Sequence, residues 1–151
     1  MTTTEKSLDG KNTTIDYNTK GSDLTISGVK TESSNYVAPT GVRIAGANEM
    51  LPVTAIGAKA MKGQSLESAT LPKNIAKVDK KAFESCGLTE LVIEGGVSKK
   101  MFAKDSLKGN GTGKKGKGLT ITVESKKDAK VLKKQLARAG AKKAKVVVVA
   151  E

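Results

Sequence analysis

The sequence predicts a short solenoid, α/β or mainly β, built on a mainly parallel sheet. A 22-residue phrase at 53–74 starts again at Ile75. Ile56 returns as Val78, Ala60 as Ala82, Met61 as Phe83, Gln64 as Cys86, Leu66 as Leu88 and Leu71 as Ile93. One unit of this length cannot bury its apolar side alone, so copies must stack. Apolar residues alternate at period two near 66–71 and 88–93, which predicts one strand per copy. A lysine-rich stretch of helical spacing and a four-valine run follow, and together they predict a closing helix and strand.

The phrase resembles the BspA-like, or Treponema-type, leucine-rich repeat, whose pattern is roughly I-x-x-I-G-x-x-A-F-x-G-C-x-x-L-x-x-I-x-L-P. The first copy offers Val53-x-x-Ile56-Gly57-x-x-Ala60-Met61-x-Gly63-Gln64, then Leu66, Leu71 and Pro72. The second offers Ile75-x-x-Val78 and Ala82-Phe83-x-Ser85-Cys86, then Leu88-x-x-Leu91-x-Ile93. Departures are Met61 for Phe, Gln64 for Cys, Asp79 for Gly and Glu94 for Pro. Core swaps that keep volume and pattern leave such a stack intact. The resemblance implies a bacterial cell-surface or secreted module, non-enzymatic and adhesin-like, that binds a host or neighbouring-cell protein. It implies export too, yet Met1-Thr2-Thr3-Thr4 opens no apolar signal segment. The expectation is a mature segment carrying a start Met.

In chain order, residues 1–12 are polar without a period and read as a flexible lead. Residues 13–151 read as one domain: an N-terminal cap and degenerate repeat at 13–52, three repeats at 53–123, and a C-terminal cap at 124–151. Thr13 to Tyr17 and Asp23 to Val29 alternate like strands around a turn at Asn18-Thr19-Lys20-Gly21, which predicts a capping hairpin. Tyr36-Val37-Ala38-Pro39 leads into a short strand at Val42-Arg43-Ile44, with an altered loop at 46–50. Leu51-Pro52-Val53-Thr54-Ala55 only superficially matches a sortase signal, because no hydrophobic tail follows. Small Ala beside large Met61 or Phe83 predicts a short turn or helical piece in a narrow core, and Pro72 ends a strand. A third repeat, shifted by two residues, runs from Phe102 to Gly109, and its strand at 119–123 is delayed by an insertion at 110–118. Ser125 caps a helix with Asp128 three residues on. Ala129, Leu132, Leu136 and Ala139 form its buried stripe, and Gly140 ends it. The run Val146-Val147-Val148-Val149 is expected as a buried, covered strand.

Composition narrows the chemistry. The chain has no His and a single Cys, so it lacks the commonest general base and any intrachain disulfide. Cys86 sits at a small buried repeat position and reads as structural. Gly111-Thr112-Gly113-Lys114-Lys115-Gly116 satisfies G-x-G-x-x-G, and 111–118 misses a P-loop by one residue. A phosphate-holding loop needs a helix directly after it, whereas a strand pattern follows here. No acid pair falls on equivalent positions of all three repeats. No cofactor, metal or enzymatic activity is expected. No stretch is long and apolar enough for a transmembrane helix.

Two surfaces remain as candidates. Glu67, Ser68, Thr70, Thr89, Glu90 and Val92 should sit outward on the stacked strands and contact a protein, although a one-residue slip would invert the list. Residues 59–151 hold 22 Lys/Arg against nine Asp/Glu, whereas residues 1–58 hold five against six. That asymmetry points to an anionic partner such as an acidic glycan or other polyanion. Lys99, Lys100, Lys104, Lys108, Lys114, Lys115 and Lys117 are the candidate contacts, extended by the cap helix if it lies beside the third repeat. Specific nucleic-acid binding is not expected, with few aromatics for stacking and 25 Lys to 2 Arg. A third alternative is a structural spacer of a larger surface protein.

Overall fold

The computed structural model describes residues 2–6, 10–20, 23–43 and 50–149. The molecule is mainly β, with two sheets enclosing one apolar core and short helices at one end. Eleven strands are present among the described residues: β1 Thr2–Lys6, β2 Asn12–Lys20, β3 Asp23–Thr31, β4 Asn35–Val37, β5 Gly41–Arg43, β6 Met50–Ile56, β7 Ser68–Leu71, β8 Lys77–Val78, β9 Glu90–Ile93, β10 Thr120–Val123 and β11 Lys145–Val148. The helices are α1 Lys126–Lys133 and α2 Leu136–Ala139.

The first sheet runs β1-β2-β3-β6-β5, with β8 also on β6. Its β1-β2-β3 part is antiparallel, and β3, β6 and β8 then pair in parallel. The second sheet runs β11-β10-β9-β7-β4, and all its pairings are parallel. The chain alternates between the sheets. Ile26, Ile56 and Val78 are successive partners in the first sheet, and Phe102 bridges to Val78. The 22-residue phrase is visible in the second sheet as Ser68 beside Glu90 and Leu71 beside Ile93. The two-residue shift of the third repeat is visible in the pairing of Val78 with Phe102, 24 residues on.

Between the sheets the copies stack through backbone hydrogen bonds. The amides of Met61 and Gly63 donate to the carbonyls of Ala82 and Glu84, and those of Phe83 and Ser85 to Ser106 and Lys108. Equivalent turn residues share a left-handed backbone, at Lys59, Lys81 and Asp105 and again at Gly63, Ser85 and Gly109. The core these turns enclose is aliphatic with four buried aromatic rings, Tyr17, Tyr36, Phe83 and Phe102.

Several expectations need correction. Residues 2–6 of the expected flexible lead form β1, because a run of β-branched threonines pairs with the open edge of β2 from Asn12 to Asp16. The strand expected at 42–44 is β5, antiparallel to β6 in the first sheet, and Ile44 lies outside the described residues. The strand that joins the second sheet ahead of β7 is β4, at Asn35–Val37. The cap helix is broken: Gln135 turns its amide into the core side, accepting from the Phe102 N–H at 2.9 Å and donating to the Ser98 carbonyl at 2.8 Å. The valine strand is not buried. As β11 it is the edge of the second sheet, half-buried, with Val149 42% exposed. Asn18, Thr19 and Lys20 of the expected turn belong instead to β2, paired with Thr25, Leu24 and Asp23, while residue 21 and residues 46–49 of the altered loop lie outside the described residues.

Candidate interaction surfaces

The outward face of the second sheet is set by strict alternation. Ala69, Leu71, Leu91, Ile93, Ile121 and Val123 point into the core, so their neighbours point out. Parallel pairing aligns those neighbours into two rows across the strands. One row is Asn35, Ser68, Glu90, Thr120 and Lys145. The other is Val37, Thr70, Val92, Thr122 and Val147, and Val37 is 53% exposed. The predicted contacts Ser68, Thr70, Glu90 and Val92 therefore lie together at the middle of this face. Glu67 and Thr89 stand exposed just before β7 and β9, stacked by the Thr89 N–H donating to the Glu67 carbonyl at 2.9 Å. Sequence pattern missed Asn35, Val37, Thr120, Thr122, Lys145 and Val147. Alternation around Thr120 and Thr122 was there to be read, but the register that joins them to Thr70 was not.

The seven predicted cations are all exposed, and the fold divides them. Lys99 and Lys100 precede Phe102, on the connection that leaves the second sheet. Lys104 and Lys108 follow it, on the flank that returns. The segment 138–143 docks onto this flank: Asp105 N–H donates to the Arg138 carbonyl and Leu107 N–H to the Ala139 carbonyl. The same segment holds the glycine-rich loop, with Lys143 N–H donating to the Lys115 carbonyl at 2.7 Å. Lys104, Lys108, Lys114 and Lys115 are thus linked through one element. The insertion proves to be an ordered loop. Its Thr112 and Gly113 amides both donate to the Lys117 carbonyl, and a single 3₁₀ turn covers Lys114–Gly116. A strand follows it, so no helix N-terminus is available to a phosphate.

Asn110 was placed in the insertion by sequence and belongs to the repeat itself. It occupies the place of Cys86 and Gln64. Its buried amide accepts from Leu88 N–H at 3.0 Å and donates to the carbonyls of Phe83 and Leu107 at 2.8 and 2.9 Å. Cys86 is buried and donates to the Met61 carbonyl. Burial pushes its thiol up to about 12, against the smaller opposing effect of backbone hydrogen bonds from Gln64 and Gly63. Such a thiol is a poor nucleophile.

Polar groups also meet in an open depression on the first sheet, lined by Asp23, Thr25, Thr54, Asn74, Lys77 and Asp79. Asp79 is taken up locally, by Lys77 at 3.8 Å and by the Lys80 N–H at 2.7 Å. Among the described residues no cluster of three or more His, Cys, Asp or Glu could hold a metal, and no helix is long and apolar enough to cross a membrane.

A solved structure resembles this arrangement over its whole length. It covers 97% of this chain and 99% of its own, with a TM-score of 0.58 and 16% sequence identity, and it is a leucine-rich repeat protein from Bacteroides capillosus. This chain shares that protein's fold. No family model and no curated protein matches the sequence. In leucine-rich-repeat terms, the turn flank carries the backbone stacking, and the second sheet presents the regular outer rows.

Proposed function

We propose that this chain is a non-enzymatic protein-interaction module of the BspA-like type, displayed on a bacterial surface or secreted. It is a short capped solenoid: the β1-β2-β3 hairpins cover one end of the repeats, and α1, α2 and β11 cover the other. The observation that carries the proposal is the pair of aligned rows on the second sheet. A rigid face of Thr, Ser, Asn and Val with one acid and one lysine offers a partner contact area that loses little freedom on binding. The partner is a host or neighbouring-cell protein. The leucine-rich-repeat fold supports interaction in general, since repeat scaffolds present extended binding surfaces.

The test has two parts. Impermeant protease on intact source cells should remove this protein while a cytoplasmic control survives. A panel of immobilised host-surface and matrix proteins should then capture the wild type, and a Thr70→Lys/Val92→Lys variant should lose at least tenfold in affinity. Capture that survives this variant would move the contact off the sheet. Capture of neither protein by any panel member would leave the spacer alternative standing. A second reading, polyanion binding by the basic half, is favoured by the docking of 138–143 between the third repeat and the lysine loop.

A further inference from the structure

The turn flank carries a feature that the sequence pattern did not single out. Lys59 N–H donates to the Lys80 carbonyl, Lys81 N–H to the Lys104 carbonyl, and Asp105 N–H to the Arg138 carbonyl. The three donors are equivalent residues of successive repeats, each with φ near +58°. Their acceptors are therefore equivalent too. Lys80, Lys104 and Arg138 stand at one position on three consecutive layers, all exposed, and are linked to the preceding layers by the hydrogen bonds just named. Lys59 and Lys81 form a second, shorter column beside the first, and the Lys108 backbone abuts Gly140, two residues after Arg138.

Two carboxylates on this flank are already engaged, Glu84 by Lys62 at 3.5 Å and Asp79 by Lys77 at 3.8 Å, and the half-buried Asp105 follows Lys59 and Lys81 at the same position of the next layer. The ladder of hydrogen bonds fixes the backbone under the cations, so their points of attachment are held in line before any ligand arrives. Lys59 and Lys81 also keep a full side chain where glycine would adopt the left-handed backbone with less strain. A structural turn alone does not call for lysine there.

Resting on the second reading above, we infer that the column Lys80-Lys104-Arg138 is a binding track for a linear acidic polysaccharide, sulfated or uronic, laid across the stacked turns. A polymer with regularly repeated anions can meet several layers at once. Nucleic acid fits less well, because the four aromatic rings are buried and none is left for a base to stack on.

The experiment uses the full chain and a heparin decasaccharide, with affinity measured by fluorescence anisotropy from 50 to 300 mM NaCl. Two variants remove equal charge: K80Q/K104Q/R138Q on the column, and K114Q/K115Q/K117Q on the loop. Circular dichroism checks that both fold. The column variant should bind at least tenfold more weakly at 150 mM NaCl, and the slope of log affinity against log salt should fall by about 2–3, roughly one for each lost contact. The loop variant should lose less than about threefold. Equal losses in both variants would overturn the track while leaving polyanion binding in place. Absence of wild-type binding at 50 mM NaCl would overturn both. Tighter binding of a single-stranded DNA of matched charge would overturn the polysaccharide as the ligand class.

Discussion

Two buried side chains give the clearest residue-scale tests. Ser106 occupies the place that Ala60 and Ala82 hold in the earlier repeats, and it is fully buried with its hydroxyl unpaired among the described residues. A buried hydroxyl without a partner costs more than the hydrogen bonds it gave up in water. Ser106→Ala should therefore stabilise the protein by about 1 kcal/mol, read as a rise in the urea midpoint with unchanged slope. A loss of stability would mean that the hydroxyl has a partner after all. Cys86 makes a pH prediction. Its thiol pKa is raised from 9.0 to about 12 in the fold. Between those values the unfolded chain releases a proton that the folded chain keeps, so unfolding gains with rising pH. The stability tied to the thiol is whole below pH 9 and is lost as pH climbs toward 12. At pH 10.5 the wild type should have lost on the order of 2 kcal/mol more than Cys86→Ala, relative to pH 8. Equal pH profiles for the two proteins would show that burial does not perturb the thiol.

At the scale of elements, how closely the turns stack can be measured with two glycines. Gly63 and Gly109 are equivalent, with φ of +76° and +79°. A Cβ on Gly63 would meet nothing within 4 Å, whereas one on Gly109 would lie 3.1 Å from the Ser85 backbone nitrogen and Cα. Gly63→Ala should cost about 1 kcal/mol for the left-handed backbone alone. Gly109→Ala should cost about 2–4 kcal/mol, because it also forces two layers apart. Equal costs in chemical denaturation would mean that the layers give way easily. The elements also differ in how far sequence exposes them. Strands β7 and β9 and the Ser125 cap were legible because a local pattern decides them: alternation in the strands, and Ser125 Oγ accepting the Asp128 N–H in the cap. Strands β1 and β4 were not. β1 is a polar run whose order comes from pairing with β2, and β4 has one buried residue, Tyr36, whose partner Ala69 is 33 residues away. The break in the cap helix was hidden for a similar reason, since the partners of the Gln135 side chain, the Phe102 N–H and the Ser98 carbonyl, lie more than 30 residues away.

Across the whole molecule, the candidate surfaces were half legible for one physical reason. Period two tells which side chains of a strand face out, and that placed Thr70 and Val92 correctly. It says nothing about which strands are neighbours, so the full rows and the Lys80-Lys104-Arg138 column needed the three-dimensional register. The same register dictates how the molecule should come apart. Stacked repeats make most of their contacts with their neighbours, so local opening should be easiest at the ends and hardest in the middle. The amides of Met61 and Phe83 bond to the next layer at 2.7 and 2.9 Å and lie under buried rings and aliphatic side chains. Those of β1 and of Val149 belong to outer strands. In native-state hydrogen exchange, Met61 and Phe83 should exchange only through global unfolding. Amides of β1 and Val149 should exchange on the order of 100-fold faster through local opening. Phe83→Ala should lower the protection of Met61 and Leu91 by about 3–5 kcal/mol, the cost of the cavity, and should barely alter β1. Uniform protection from β1 to β11 would show instead that the outer strands are bound as tightly as the central ones. The stack would then unfold as one unit, and its ends would be as rigid a platform for a partner as its centre.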